Sequence, residues 1–378
     1  MTPTKKIIAT AIGISLVSMS TFAQAVSTTS NENKNKDTDV KIGLGLGGVK
    51  SDSTLNTASV MGIGVSAYAK YFLTPELHTR LSAGMNFETG SSSSARDNNI
   101  YTPSNGNYLK EALVSYSPLE LIELEGGVIN QSFLDAPMVV DKKGFIAAKE
   151  KFQYKVLDTL FSVVATQAIP NNRNLSQRID VTEEGDPRFY AESLVIDQQL
   201  YIGDIKFSLT HFAYDNISNS VAYESILLGN SGTPINKGNG VLANTYSGWN
   251  IDLKYAFDIS NNYKLELNGN TLKNTAASEN NSAYRAGAKL TYASEGNRYS
   301  LKIENFSIDA DASVAYYNSS RYGMANKEGN RIRFEYKNMP KQINLGAELI
   351  SNKVINQNVY QSDETVILFS LRKTYDLF

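Results

Sequence analysis

The sequence predicts an all-β fold: a transmembrane antiparallel β-barrel of about sixteen strands, with short periplasmic turns and long external loops. Three observations predict it. From residue 40 onward, apolar and polar residues alternate with period two. The links between the alternating segments are themselves short and long in alternation. Beyond the N-terminal stretch, no apolar run approaches the roughly 20 residues that a membrane helix needs. Only helices and closed barrels satisfy their backbone groups in lipid, and barrel strands alternate rather than running apolar.

Composition narrows the chemistry. The 378 residues carry 36 Lys+Arg against 38 Asp+Glu, so there is no general attraction to nucleic acid or anionic lipid. Cysteine is absent, which excludes a disulfide scaffold, thiol chemistry, thiolate zinc sites and Fe–S clusters. A mildly negative mean hydropathy argues against a helical bundle in the membrane.

The elements follow in order. Lys5 and Lys6 precede an apolar stretch from Ile7 to Phe22, and Ala23-Gln24-Ala25 supplies small residues around a cleavage point. Residues 1–25 therefore read as a signal peptide cleaved near Ala25, and the chain as exported. Residues 26–39 are almost wholly polar and read as a disordered leader, which leaves residues 40–378 as the barrel. Met61, Ile63, Val65, Ala67 and Ala69 alternate with Gly62, Gly64, Ser66, Tyr68 and Lys70, while Trp249, Ile251, Leu253 and Tyr255 alternate with Asn250, Asp252 and Lys254. Segments of this kind are expected near 40–48, 58–73, 77–88, 108–117, 121–131, 143–156, 159–169, 189–200, 203–214, 246–258, 262–273, 283–293, 298–307, 330–338, 342–350 and 365–377.

Tight links such as Thr74-Pro75-Glu76, Leu157-Asp158 and Glu295-Gly296-Asn297 alternate with long ones such as 89–107, 132–142, 170–188, 215–245 and 308–329. In an antiparallel barrel, alternate links share one rim, so one rim carries turns and the other loops. A soluble β-sandwich would also bury one strand face, but would not sustain this rule through eight hairpins. Many of the 22 tyrosines fall near strand ends, where phenolic rings suit a lipid–water boundary.

At this point the chain resembles a Gram-negative outer-membrane porin. The resemblance rests on the signal peptide, the strand–turn–strand–loop series, and a last strand running Ile367, Phe369, Leu371, Tyr375 to a terminal Phe378. The stretch from Glu111 to Leu119, followed by Leu124-Glu125-Gly126-Gly127-Val128, also looks like a porin hairpin. The resemblance implies an integral outer-membrane location, a homotrimer, outer-membrane lipid and small hydrophilic solutes or ions as partners, and no cofactor, metal or nucleic acid. It also implies that the third external loop folds inward and narrows the lumen. Here that loop offers Asp135, Asp141, Lys142 and Lys143, and the charged loop at 170–188 is a second candidate.

If the apolar row faces lipid, the intervening row lines the lumen. That row includes Arg80, Lys149, Lys151, Lys155, Lys206, Lys254, Arg285, Lys289, Arg298, Lys302, Arg331, Arg333 and Arg372, against Glu88, Asp252, Glu266, Glu304, Glu335 and Glu348. A cationic wall would favour anions, unless the charges pair across strands and cancel.

Enzymatic chemistry has little support. Of the two histidines, His78 lies beside a turn, and Ser208 and His211 are three residues apart, on opposite strand faces. Gly43-Leu44-Gly45-Leu46-Gly47-Gly48 fits a dinucleotide fingerprint, but no helix follows it. Asp309 and Asp311 form only one carboxylate pair. The expected function is a water-filled channel for passive diffusion, leaning toward anions. The alternatives are a substrate-selective channel, or a structural barrel whose loops at 215–245 and 308–329 bind a partner.

Overall fold

The computed structural model describes residues 38–96, 100–141, 144–171 and 186–377. Residues 1–37, on which the signal-peptide reading and most of the leader reading fall, lie outside the described residues, as do Lys142, Lys143, Phe378 and the charged stretch 172–185. The strands are β1 (Thr38–Ser53), β2 (Asn56–Phe72), β3 (Leu77–Ser94), β4 (Gly106–Leu119), β5 (Ile122–Asn130), β6 (Gly144–Val156), β7 (Thr159–Ile169), β8 (Arg188–Leu200) and β9 (Gly203–Asp215). After these come β10 (Gly232–Asn236), β11 (Asn239–Leu242), β12 (Tyr246–Ser260), β13 (Tyr263–Asn274), β14 (Ser282–Ser294), β15 (Asn297–Ile308), β16 (Lys327–Asn338), β17 (Ile343–Val354) and β18 (Glu364–Asp376).

Sixteen of them close a single antiparallel barrel, each paired with its sequence neighbours, and β1 seals against β18 in a register running from Lys41 opposite Asp376 to Ser53 opposite Glu364. β10 and β11 form a separate hairpin within the connection from β9 to β12. The barrel begins two residues earlier than expected: Thr38 and Asp39 belong to β1, because they continue the register against Tyr71 and Lys70 of β2.

Alternation sets the two faces. Outward-facing Ile63, Phe87, Val163, Ile303 and Ile367 are all half exposed or more, the position a lipid-facing row must take. Near the short-turn rim, Tyr263, Tyr292, Tyr299 and Tyr336 lie directly opposite one another on β13 to β16, with ring centroids 4.9, 6.2 and 5.0 Å apart in succession. The turn between β14 and β15 places both Glu295 and Gly296 at positive φ, 47° and 78°. That is the two-residue geometry whose twist matches paired strands, and glycine adopts it without steric cost.

Three of the long connections enter the barrel rather than standing outside it; the porin resemblance implied this for the third loop, and the other two depart from expectation. Residues 131–141 start with a 3-10 turn (Gln131–Leu134), and their Leu134, Ala136, Met138, Val139 and Val140 are almost fully buried. Residues 309–326 are buried almost throughout, from Ala310 to Ala325. The helix α1 (Asn219–Leu227) buries Val221, Ala222, Ile226 and Leu227.

These segments are tied to one another and to the wall. The Ser319 amide donates to the Pro137 carbonyl (3.0 Å), the Asp141 amide to Tyr317 (3.0 Å), and Asn230 Nδ2 to Ser313 (2.8 Å). Tyr317 stacks on Tyr214 at 5.3 Å and meets Phe145 edge-on at 5.3 Å. The inward residues at the long-loop ends of the strands are accordingly apolar: Val60, Phe145, Phe189, Phe212, Tyr246, Phe306 and Ile350 join one cluster with the infolded segments. Part of the lumen is thus a packed core, so residues 309–326 and the helix of the 215–245 connection are not the free surface that partner binding would require, whereas the β10–β11 hairpin stays exposed, with Ile235 and Val241 in the open. The buried apolar side chains gain more by leaving water than those of an exposed loop would.

Candidate functional site

The other half of the lumen is polar. Strand parity turns Arg80, Lys149, Lys151, Lys155, Arg285, Arg331, Arg333 and Glu335 to the inner row. Of these, Lys155 stands exposed near the short-turn rim. The others fall into two groups on different parts of the wall.

The first group joins β3, β5 and β6. Glu125 accepts Arg80 Nη2 at 2.6 Å and sits 2.5 Å from Lys149 Nζ, while Glu123 lies 3.9 Å from Lys151. Neither Glu123 nor Glu125 was anticipated as an acidic counterpart. Their signal was present, because both alternate with Leu124 and so share the inward row of β5.

The second group spans β12 to β17. Arg285 Nη2 donates to Asp252 (2.9 Å). Arg331 donates to Glu304 (2.7 Å) and Glu348 (2.6 Å). Arg333 pairs with Glu335 (2.5 Å) and lies 3.8 Å from Glu348. From the infolded 309–326 segment, the Tyr322 hydroxyl accepts from Arg285 (3.0 Å) and Arg331 (3.3 Å) and donates to Glu304 (3.3 Å). Burial disfavours the charge on Arg321, next along that segment, and lowers its pKa against the pull of Glu348.

The third long loop supplies the facing side. Asp135, at φ 56°, ends the 3-10 turn and pairs with Lys254 of β12 and, at 3.2 Å, with Lys206 of β9. Burial pushes its carboxyl pKa up, but the two lysines outweigh burial and hold it at about 2. The loop is therefore pinned across the lumen by one carboxylate and two lysines.

Between this loop and the β12–β17 wall lies a cavity of about 470 Å³. Its basic lining is Lys254, Arg285, Lys289, Lys302, Arg321, Arg331, Arg333 and Lys337; its acidic lining is Asp135, Asp141, Glu266 and Glu335. Asp252, Glu304 and Glu348 stand behind the basic residues, nearly inaccessible, so most of the excess cancels. One feature cancels only in part. Lys289 lies directly opposite Lys302, and Lys302 directly opposite Arg333, which makes a three-cation rung across β14, β15 and β16, flanked in the same row by Glu266 opposite Lys289 and Glu348 opposite Arg333. Like charges in opposed positions destabilise a sheet. Lys302 and Arg333 draw on Glu304 (2.8 Å) and Glu335, whereas Lys289 forms no ion pair among the described residues.

The catalytic candidates do not assemble. His211 faces outward against Trp249 (4.9 Å between ring centroids) while Ser208 is buried on the inward row. His78 packs on Phe72. Asp309 and Asp311 act as loop anchors: Asp311 accepts from Tyr246 (3.1 Å) and Asn244 (3.0 Å), and Asp309 from the Ser282 amide (3.1 Å). The glycine series 43–48 is plain β1 strand.

No family model and no curated relative matches the sequence. Solved structures do resemble the fold. Pseudomonas putida OprB, in its low-pH structure, superposes with a TM-score of 0.50 at 8% identity, over 90% of this chain and 92% of that one. OmpF of Salmonella typhi, in complex with daunomycin, gives 0.49 at 10% identity over 89% and 97%. The outer membrane protein OprD of Pseudomonas aeruginosa gives 0.48 at 10% identity over 90% and 94%. The closed sixteen-strand barrel is thus the fold of Gram-negative outer-membrane porins.

Proposed function

We propose that this barrel is an outer-membrane channel for small hydrophilic solutes, narrow enough to select among them and biased toward anions. Selectivity follows from the three infolded segments, which leave a charged cavity of about 470 Å³ where an open sixteen-strand barrel would hold a wide aqueous lumen. The observation that carries the anion bias is the rung of Lys289, Lys302 and Arg333. Opposed cations facing a water-filled cavity are relieved by a passing anion, and charged rows in a low-dielectric tube set which ion enters.

The test is reconstitution of the mature protein in a planar bilayer across a KCl gradient. Stepwise openings with a reversal potential of anion sign are expected. A cation sign would remove the role given to the rung, and silence from folded barrel would remove the channel. The signal-peptide reading belongs to the same proposal and predicts that N-terminal sequencing of the outer-membrane form starts at Val26. A homotrimer, implied by the porin resemblance, would appear as a three-subunit species on crosslinking in detergent.

A further inference from the structure

Glu150 stands at the middle of β6, six residues from either end, in the outward row between Ala148 and Phe152. A carboxylate there faces the centre of the lipid band, where neither water nor a counter-charge reaches it. Its opposed neighbours, Leu124 of β5 and Ala165 of β7, have no polar side-chain atom to offer. Glu192, the next deepest, has His211 at 3.7 Å. Every other Asp, Glu, Lys or Arg of the outward row among the described residues lies within three residues of a strand end.

Ala148 lies opposite Gln167, as Glu150 lies opposite Ala165. The four make a tile on the outer face of β6 and β7, with polar corners on one diagonal and alanines on the other. Strand tilt stands the polar diagonal upright. Along the rung from Glu150 through Ala165, Glu192, His211 and Trp249 to Lys273, the long-loop end of the strand comes from six residues away to one. The rung therefore climbs toward the loops, as strands tilted by about 40° require, and Gln167 stands almost directly above Glu150. Ala148 and Ala165 lie to either side at nearly one depth.

From the mid-strand carboxyl, the amide above it and the alanines beside it, we propose that this face docks the same face of a second copy of the chain. The two-fold axis runs along the membrane normal through Glu150 and Gln167. Rotation about it keeps every residue at its own depth, so a side chain on the axis meets its own counterpart, and Ala148 of each copy meets Ala165 of the other. Both polar groups suit self-pairing: an amide carries donor and acceptor together, and two carboxyls can hold one proton between them. The alanines let the two walls approach closely, as small residues do between membrane helices. A foreign partner would need its own polar groups set at both depths, whereas a second copy supplies them by symmetry. The contact joins two chains, not the three that the porin resemblance implies.

The chain has no cysteine, so one introduced thiol reports the contact in the mature protein, folded in dilute lipid vesicles. Gln167→Cys, on the axis, should give a two-subunit band with a short bis-maleimide. Ala347→Cys, outward on β17 across the barrel, should stay single. The mass of the wild-type complex in mild detergent should be that of two chains. Glu150→Lys sets two ammonium groups face to face and should lower the dimer fraction at least tenfold, while Glu150→Gln keeps a self-pairing group and should preserve it. If Glu150→Lys does not fold, the two cysteine variants still decide. A Gln167→Cys protein that stays single, equal linking at Ala347→Cys, a three-chain mass, or a dimer indifferent to Glu150→Lys would overturn the assignment. Because mass and crosslinking are read rather than conductance, the contact can stand even if the channel reading fails.

Discussion

Arg331 shows at the residue scale how the lumen holds charge away from bulk water. It, Glu304 and Glu348 expose 5%, 1% and 5% of their side chains, yet every charge in the group touches an opposite one. Taking such ions out of water offsets most of their attraction, so the network adds little net stability. Removing one partner is different, because it strands the others. Glu304→Gln leaves Arg331, Lys302 and Arg285 crowded together and should destabilise the barrel by about 3–5 kcal/mol, read from the denaturant midpoint of refolding in lipid vesicles. Lys155→Gln, at an exposed lumen position, should change it by less than about 0.5 kcal/mol. Asp135 adds a pH dependence. Its folded pKa of about 2 lies below its ordinary value, so its contribution is complete above pH ~4 and is lost as pH falls through 2. Wild-type single-channel conductance should therefore stay constant between pH 7 and 5 as far as the third-loop tether governs it. Asp135→Asn should show, at pH 7, the larger and noisier openings of a released loop.

The infolded segments decide at the element scale how wide the channel is, and they were the least legible part of the chain. The strands were legible because alternation is enforced by the medium: one row must meet lipid, and a slip of one residue would expose every polar side chain. That constraint placed sixteen strands, with β7 matching at both ends. No such constraint acts on a connection. Residues 309–326 are rich in Ala, Ser and Tyr, a composition that suits an exposed loop or a buried one. The available signals were the runs Val314-Ala315-Tyr316-Tyr317 and Ile226-Leu227-Leu228, each too apolar for a solvated loop. The ion pairs were half legible: parity identified the basic row, but pairing depends on register and on which loop reaches in, as Tyr322 and Asp135 do. Replacing residues 312–322 with a short Gly-Ser linker should remove Tyr317 and Tyr322 from the lumen and raise single-channel conductance at least two-fold. Unchanged conductance would mean that ions pass by a route these residues do not narrow.

Over the whole molecule, a net formal charge of −2 says nothing about selectivity, because what a permeating ion meets is the arrangement of charge along the lumen. Asp135 and Asp141 of the third loop and the basic β12–β17 wall face each other across the cavity, and the carboxylates behind and beside the wall reduce its excess to a local one, centred on Lys289, Lys302 and Arg333. A local excess is felt over a distance set by ionic strength. The screening length is about 10 Å at 0.1 M salt and 3 Å at 1 M, so at low salt the rung should act across much of the cavity and at high salt only at its own surface. Anion preference should accordingly be strongest in gradients built around 0.1 M KCl and fade toward 1 M. In a Lys289→Gln, Lys302→Gln, Arg333→Gln triple variant the preference should be weak or reversed at every concentration, because Glu335 then loses its ion-pair partner and Glu266 the lysine opposite it, while Glu304 and Glu348 keep Arg331. A single substitution at Lys289, which carries no ion pair among the described residues, should account for a disproportionate share of the change without altering thermal stability. If the triple variant keeps the wild-type reversal potential across the salt series, selectivity is set elsewhere, and the opposed cations of β14, β15 and β16 are a structural strain that their neighbouring carboxylates absorb.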